Sequence, residues 1–522
     1  MVDHEHFGRR ALRQQFQPEL FLQRGEHRHG IGSCWLGARR IVTPQSLMLV
    51  DTVKRRGARN VKLFVISCVK LSAVMRAESG PQVPVEAKEH FMQVTIIPDD
   101  ARIDEPVAIR LTGLAPQSLV QLRLRNHVLK AESRADFVAS ANGIVDVAVD
   151  SPVAGDYAGV DPGGLFWSAR FDAGADVVSM IDALTQLKPL TYTLAVTGSA
   201  DGVMNFRRRL LPTHVVQTPV RDGRVRGTLF AHEGLRNAPG VIVLGGSDGG
   251  NVWTFVAALL AAHGMAALSL AYFAYDDLPR ELVEIPIEYF AEAIDWLRRR
   301  PEVGATGIGV LGMSYGGEAA LLTGAFLRGV GAVVALVASG VTSGGIGADF
   351  SAMGKSAWTR NGVPFPVFPP PGDPLTFDEA QRAIASGAPF AGAPAMLRAL
   401  QSAGERVEDV AIPVERTPVP ILMISAEDDR LWASSSLTEI AERRLRRANF
   451  PHFYEHVRYP NAGHFAVLLP NLPTTSNSGR HPVVPMTLAF GGTPDANARA
   501  SADMWPRVVS FLRTCLAAPR EG

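Results

Sequence analysis

The chain has 522 residues, more than one ordinary hydrophobic core organises, so two domains are expected. Hydrophobic residues make up 47% and charged residues 20%, the balance of a soluble globular protein, and no apolar run is long enough to span a bilayer. Lys and Arg number 52 against 51 Asp and Glu, a balance that gives no reason to expect nucleic acid or an anionic membrane as partner.

Residues 1–80 hold 11 Arg and 3 Lys against 6 Asp and Glu, so the rest of the chain is net negative. This segment has no sustained helix or strand period. Its best apolar stretch, Leu63 to Val74, is interrupted by Lys70. It lacks the basic start, apolar stretch and small-residue cleavage site of a secretory signal. An Arg-rich, acid-poor leader can serve as an organelle transit peptide. The plainer reading is a disordered tail or a start placed too early, with Met75 or Met92 as the natural one. Residues 1–90 are therefore set aside as a disordered or non-native extension. The three cysteines, Cys34, Cys68 and Cys515, are far apart and show no metal-ligand spacing. A disulfide framework is not expected, and a reducing compartment, the cytoplasm, fits best.

From Phe91 the text changes. Val107, Ile109 and Leu111 alternate with polar residues, and "GIVDVAVD" and "LTYTLAVTG" repeat that pattern between Gly and Asp punctuation. Short strands at this spacing predict an antiparallel β-sandwich over 91–218. Asp161-Pro162-Gly163-Gly164 reads as a turn in preference to a ligand groove. The sandwich is expected to end near Pro219, with "RVRGTLF" opening the next domain.

Residues 219–522 alternate strand and helix. "PGVIVLGG" is a continuous apolar run of the kind buried parallel strands show. A helix is predicted from about Val252 to His263, then the strand "GMAALSLAYF". In "EIPIEYFAEAIDWLRRR", Ile287, Phe290, Ile294 and Leu297 fall at helical spacing, and the basic last turn suits the helix dipole. The Arg298-Arg299-Arg300 run reads as a solvated helix end. Strands "IGVLG", "GAVVALVAS", "VPILMISAEDD" and "HFYEHVRYP" follow, and "ASADMWPRVVSFLRTCL" closes the chain as a helix. The expected fold class is α/β: an α/β-hydrolase domain with a mostly parallel sheet, preceded by the sandwich. Gly340 to Arg416 breaks the rhythm. "VPFPVFPPPGDP" suits neither a regular helix nor an inner strand, and its place in the chain suggests a lid or pocket wall.

Gly312-Met313-Ser314-Tyr315-Gly316 is G-x-S-x-G between a buried strand and a helix. That tight turn lifts a serine hydroxyl clear of the sheet at the positive end of the following helix. A serine needs a base, and the order Ser, acid, His is expected, each at a strand end. His464, in "YPNAGHF", follows a strand in a Gly-containing loop. It fits better than His263 near a helix end, or His452 and His456 within a strand. "SAEDDRLW" offers two acids, Asp428 and Asp429. Asp429, three residues after Ala426, is preferred as the group that holds the imidazole tautomer. The oxyanion needs two backbone N–H groups. One belongs to Tyr315. The other comes from "GGSDGG", at Ser247 or alternatively Gly246. That loop lacks both the Walker ending and the dinucleotide spacing, no metal cluster is present, and no cofactor is expected.

With these passages in place, the chain resembles the acyl-CoA thioesterases and bile-acid-CoA:amino-acid N-acyltransferases. The resemblance rests on "DEPVAIRLTGLAP", "RVRGTLF", "LSLAYFAYDDLP", "IPIEYFAEAIDWL", "GIGVLGMSYGGEAALL", "EDDRLW", "AGHF" and "GGTPDANARASADMWPRVVSFL", and runs from about Val94 to Leu516. It implies an amino-terminal β-sandwich on a carboxy-terminal α/β-hydrolase. It also implies CoA thioesters as small-molecule substrates, and a triad at Ser314, Asp429 and His464. Within that family the transferases carry cysteine at the nucleophile and the thioesterases serine. This chain has serine, and no cysteine lies near the elbow, so hydrolysis is expected over amide formation. Hydrolysis of oxygen esters or lactones is the alternative on the same triad. Two passages depart from the animal proteins: the oxyanion loop "GGSDGG" and the Pro-rich segment from Val363 to Pro374. Both border the pocket, so acyl preference does not carry over. The chain ends Arg520-Glu521-Gly522, which is not a peroxisomal tripeptide.

Overall fold

A computed structural model describes residues 92–348, 352, 354–369, 374–484 and 486–517. The extension expected over 1–90 lies outside the described residues. Ten strands come first: β1 (Gln93–Ile97), β2 (Asp100–Arg102), β3 (Ala108–Thr112), β4 (Leu119–Asn126), β5 (Ala131–Val138), β6 (Val145–Asp146), β7 (Ala154–Gly155), β8 (Arg170–Phe171), β9 (Leu190–Gly198) and β10 (Gly202–Arg209). They form one three-stranded sheet, β1-β3-β6, and a larger one, β2-β10-β9-β4-β5-β7, with β8 paired to β5. Pairing in the larger sheet is antiparallel except for β2 beside β10. Along β4 the residues Val120, Leu122 and Leu124 are buried while their neighbours are not. That is the period-two pattern of a sheet with one face on a core. A helical turn, α1 (Gly164–Trp167), and helix α2 (Val177–Thr185) interrupt the strands. Asp161 accepts from the Gly163 N–H and from Trp167 Nε1, both at 2.8 Å, so its tetrapeptide is the turn that starts α1.

A third, eight-stranded sheet has the order β11-β12-β14-β13-β16-β17-β20-β21. Its strands are β11 (Val215–Asp222), β12 (Val225–His232), β13 (Gly240–Leu244), β14 (Ala266–Ala271), β16 (Ile308–Met313), β17 (Val330–Leu336), β20 (Ile421–Ala426) and β21 (Tyr454–Tyr459). From β14 to β21 every pairing is parallel. Strands β13, β14, β16 and β20 are buried at every residue. Helices must therefore cover both faces: α3 (Thr254–Ala262), α4 (Glu288–Arg298), α5 (Tyr315–Phe326), α8 (Ser434–Arg447) and α9 (Pro494–Cys515). One boundary differs from expectation. The sheet opens one strand earlier than "RVRGTLF". Residues 215–222 pair antiparallel with β12 around the two residues Gly223 and Arg224, with Gly223 at φ 54°. Asp222-Gly223-Arg224 carries the hairpin turn, and Pro219 is tolerated inside β11 because that strand lies at the sheet edge.

The described residues of 340–416 include regular elements, although the proline content of the stretch signals irregular chain. A small sheet joins β15 (Ile285–Pro286), β18 (Trp358–Arg360) and β19 (Val363–Pro364). Helices α6 (Pro374–Ser386) and α7 (Ala393–Ala403) follow. Val363 and Pro364 of the Pro-rich passage form the edge strand β19, where a missing N–H is tolerated, and Pro374 opens α6. Met396, Ala399 and Leu400 of α7 pack on a buried cluster of Val341, Phe368, Val407, Trp432, Leu437 and Ile440. A last hairpin, β22 (Ser478–Arg480) with β23 (Thr487–Ala489), precedes α9.

The antiparallel sheets dock on the α/β sheet through buried polar groups. Asp104 accepts from His263 Nε2 at 2.5 Å and from Trp505 Nε1 at 2.9 Å. Hydrogen bonds from His263, Trp505 and Arg102 hold its carboxyl well below the usual range, against the opposing effect of burial. Among the described residues no helix is long and apolar enough to cross a membrane.

Candidate active site

Strand β16 ends at Met313 and helix α5 begins at Tyr315, with Ser314 alone between them. Ser314 has φ 58° and ψ −124°, a backbone conformation costly for any residue with a side chain. The turn closes only because its neighbours are glycine. A methyl group at Gly312 would overlap the Gly316 carbonyl, and one at Gly316 would overlap the Gly245 carbonyl. The Ser314 N–H donates to Leu336 O at 2.8 Å, tying the turn to β17. Ser314 sits at the amino terminus of α5, where backbone N–H groups have no partner within the helix.

Asp429 lies just beyond β20 and is buried. Its Oδ1 accepts from the N–H groups of Leu431 and Trp432, at 2.9 and 3.3 Å. Its Oδ2 lies 2.8 Å from His464 Nδ1. An acceptor-only carboxylate there places the imidazole proton on Nδ1 and leaves the Nε2 lone pair as the basic position. His464 follows β21 and is buried too. Its N–H donates to Phe490 O at 2.8 Å, and the preceding N–H of Gly463 donates to Asn497 Oδ1 at 2.7 Å. The Trp432 ring lies against Tyr315, with centroids 5.1 Å apart, and meets His464 edge-on at 6.3 Å. The neighbouring acid, Asp428, faces away. It accepts from Arg430 Nε at 2.6 Å and from the Gly492 N–H at 3.0 Å.

The loop after β13 lies beside the serine. A Cβ at Gly246 would stand 3.2 Å from Ser314 Cβ and 3.6 Å from its Oγ. Beneath the loop the Tyr272 hydroxyl is 2.7 Å from Gly245 O and 2.9 Å from Gly246 O. Pinning both carbonyls on one side turns the N–H groups of Gly246 and Ser247 to the other, since each trans peptide opposes its C=O and N–H. Burial pushes the Tyr272 phenol well above its ordinary range, so it remains a donor. Among the described residues no group of His, Cys, Asp and Glu is arranged to hold a metal. Two other histidines have partners elsewhere: His456 bridges Ser425 Oγ and Glu442, and His263 meets Asp104.

Three residues escaped the sequence reading. Glu318, on α5, is fully buried and accepts from the Ser343 N–H at 2.8 Å, Ser343 Oγ at 2.7 Å and Trp358 Nε1 at 2.7 Å. Burial pushes its carboxyl up to about 7 in spite of these donors. A single charge in the otherwise apolar text "YGGEAALLTGAF" was a usable signal, because lone acids are seldom buried without a reason. His481 lies 2.9 Å from Ser247 Oγ, and Asn497 carries the His464 loop. No spacing in the text connects either to its partner.

Two family models match. One, described as acyl-CoA thioester hydrolase/BAAT N-terminal region, covers residues 104–222. The other, BAAT / acyl-CoA thioester hydrolase C terminal, covers residues 285–518. The chain is 33% identical to mouse acyl-coenzyme A thioesterase 1 over 423 residues, which is 78% of this chain and 93% of that protein. The chain belongs to the acyl-CoA thioester hydrolase/BAAT family. Mouse peroxisomal succinyl-coenzyme A thioesterase is 32% identical, over 78% of this chain and 93% of its own length. The family also includes mouse bile acid-CoA:amino acid N-acyltransferase, 30% identical over 81% of this chain and 97% of that protein. Among solved structures, the α/β hydrolase GrgF of Penicillium is 18% identical with a TM-score of 0.31, over 49% of this chain and 91% of that one.

Proposed function

We propose that this protein hydrolyses acyl-CoA thioesters to free acid and CoA, with Ser314 as nucleophile, His464 as base and Asp429 as its orienting acid. The observation that carries the reading is the strained serine at the head of α5 in the same fold as a buried Asp429–His464 pair. Family membership supplies the thioester. In the first half-reaction His464 Nε2 takes the Ser314 proton as Oγ attacks the thioester carbon. The oxyanion forms between the N–H groups of Tyr315 and Ser247, with Gly246 beside them. The tetrahedral intermediate collapses, the C–S bond breaks, and His464 returns the proton to the departing CoA sulfur. In the second half water attacks the acyl-serine while His464 takes its proton, and the acid leaves as Ser314 is reprotonated. The scheme uses no cofactor or metal, and the inferred compartment is the cytoplasm.

A second reading, acyl transfer to an amino acid, is favoured by the transferase relative. The serine argues against it. Here the acyl group rests on an oxygen ester, which water deacylates, and not on a thioester awaiting an amine.

The test is thiol release from acyl-CoAs of short to long chain, with aryl esters alongside and glycine or taurine added. Wild type is expected to release thiol with free acid as product, and Ser314→Ala to lose about 10⁶-fold in kcat while keeping its fold. Thiol release by the variant at the wild-type rate would remove Ser314 from the mechanism. Inert CoA thioesters with serine-dependent ester turnover would move the protein to the esterase class, and an amine-dependent amide product to the transferase class.

A further inference from the structure

His481, 234 positions after Ser247, touches the oxyanion loop from far along the chain. It follows β22, is buried, and sits in the turn of the last hairpin. Its two ring nitrogens have separate occupations. Nδ1 accepts from the backbone N–H groups of Val483 and Val484, at 3.1 and 3.0 Å. A nitrogen that accepts two N–H groups has its lone pair there and no proton. The ring proton is therefore on Nε2, and Nε2–H donates to Ser247 Oγ at 2.9 Å. Burial holds the imidazole below its ordinary pKa, which keeps this neutral tautomer.

The hairpin that carries His481 also holds the other side of the site. Phe490, immediately after β23, gives its carbonyl to the His464 N–H and its own N–H to Asn477 O, which precedes β22. Asp429 bridges to Gly491, one residue further on. One short element thus touches the histidine loop, the acid loop and the loop beside the serine.

We propose that His481 is the positioning residue of the oxyanion loop. Tyr272 fixes the two carbonyls from below, and His481 Nε2–H fixes the Ser247 side chain from the hairpin. Together they set the direction of the Ser247 N–H before substrate arrives. A donor fixed in advance costs no reorganisation when charge develops, whereas a loop free to turn loses part of the 10²–10³ that an oxyanion donor supplies. The inference rests on the reading of Ser314 as nucleophile and of Ser247 as an oxyanion donor.

Two conservative substitutions separate this role from a merely structural one. His481→Asn places an acceptor near the Nδ1 position, so it keeps the Val483 and Val484 bonds and loses the one to Ser247. His481→Gln places an amide N–H near the Nε2 position, so it keeps the Ser247 bond and loses the turn. Steady-state kinetics of purified full-length protein on its best acyl-CoA or aryl ester are compared, with Ser314→Ala as the baseline. The expected result is a kcat about 10–100-fold lower in His481→Asn, with KM within about threefold. His481→Gln should stay within about threefold of wild type. Ser247→Ala should lose as much as His481→Asn, and combining the two should lose no more than either alone. A wild-type kcat in His481→Asn, a defect confined to His481→Gln, or losses that multiply in the double variant would each overturn the proposal. Because the ratio is read on whichever substrate Ser314 turns over, inert CoA thioesters would defeat the thioesterase reading and leave this test standing. Activity surviving in Ser314→Ala would defeat both.

Discussion

Two buried carboxylates flank the serine elbow, and they are built differently. Asp429, beyond β20, shares its oxygens between two backbone N–H groups and an imidazole. Glu318, one turn into α5, is surrounded by neutral donors only: a backbone N–H, a hydroxyl and an indole. The first has a partner that can become a cation. The second has none, and burial accordingly raises its carboxyl to about 7. Ser343 and Trp358, which hold Glu318, both belong to the stretch between β17 and β20, and Tyr315 adds a hydroxyl bond to Gly344 O at 2.9 Å. Glu318 therefore fastens the interruption to the helix that carries the nucleophile, while Asp429 serves the base. The difference shows that depth of burial alone does not make a carboxylate catalytic. The charge of its partner decides whether it stabilises a developing cation or only holds structure.

The largest effect should come from breaking the Asp429 side of this contrast. In Asp429→Asn the amide oxygen can still accept from Leu431 and Trp432. Its NH₂ then faces His464 Nδ1 and drives the imidazole proton to Nε2, the wrong tautomer for a base. A loss of about 10⁴ in kcat with unchanged thermal stability is expected. A loss below tenfold would mean that another group orients His464.

Glu318 should respond in stability and not in catalysis. Its folded pKa, about 7, lies above its unfolded value near 4.5, so the native state holds the proton more tightly. The sign follows: the contribution is fully present below about pH 4.5, is lost as the pH rises through about 7, and is constant above that. The total is about 3 kcal/mol, at 1.36 kcal/mol per unit. In Glu318→Gln the amide oxygen accepts from Ser343 N–H and Trp358 Nε1, and the NH₂ donates to Ser343 Oγ, so the bonds persist without the titration. Urea unfolding from pH 4.5 to 8 should show wild type losing about 3 kcal/mol relative to Glu318→Gln. A difference that stays flat with pH would show that Glu318 titrates normally.

The distance from text to structure is uneven in an instructive way. The parallel strands were legible because strands covered on both faces are largely apolar, as β13, β14, β16 and β20 are with Ser269 and Ser425 as polar exceptions. Ser314 was legible because its turn demands glycine two residues to either side. The helices α6 and α7 were not, since the proline run ahead of them signals irregular chain and α7 has only a short apolar face. Partners made by tertiary contact leave no spacing at all: His481 and Ser247 are far apart in the chain, as are Asn497 and Gly463 in their roles. Glu318 stood between these extremes, visible as an anomaly but silent about Ser343 and Trp358.

The smallest effect is expected next door to the largest. Asp428 and Asp429 are adjacent candidates in "SAEDDRLW", and backbone direction just beyond β20 separates them. Asp428 is partly exposed, pairs with Arg430 and accepts the Gly492 N–H. In Asp428→Asn the amide oxygen keeps the bond to Gly492, and the variant loses only an ion pair open to solvent, worth about 0–1 kcal/mol. Its kcat should lie within about threefold of wild type, and unfolding should shift by less than about 1 kcal/mol, mostly at low salt. The paired assay of Asp428→Asn and Asp429→Asn under one set of conditions is the sharper measurement. If adjacent carboxylates differ by about four orders of magnitude in kcat, the effect belongs to contact with His464 and not to negative charge near the site. Equal losses in the two variants would instead point to a shared electrostatic field, and the contrast drawn between Asp429 and Glu318 would have to be rebuilt on distance from His464.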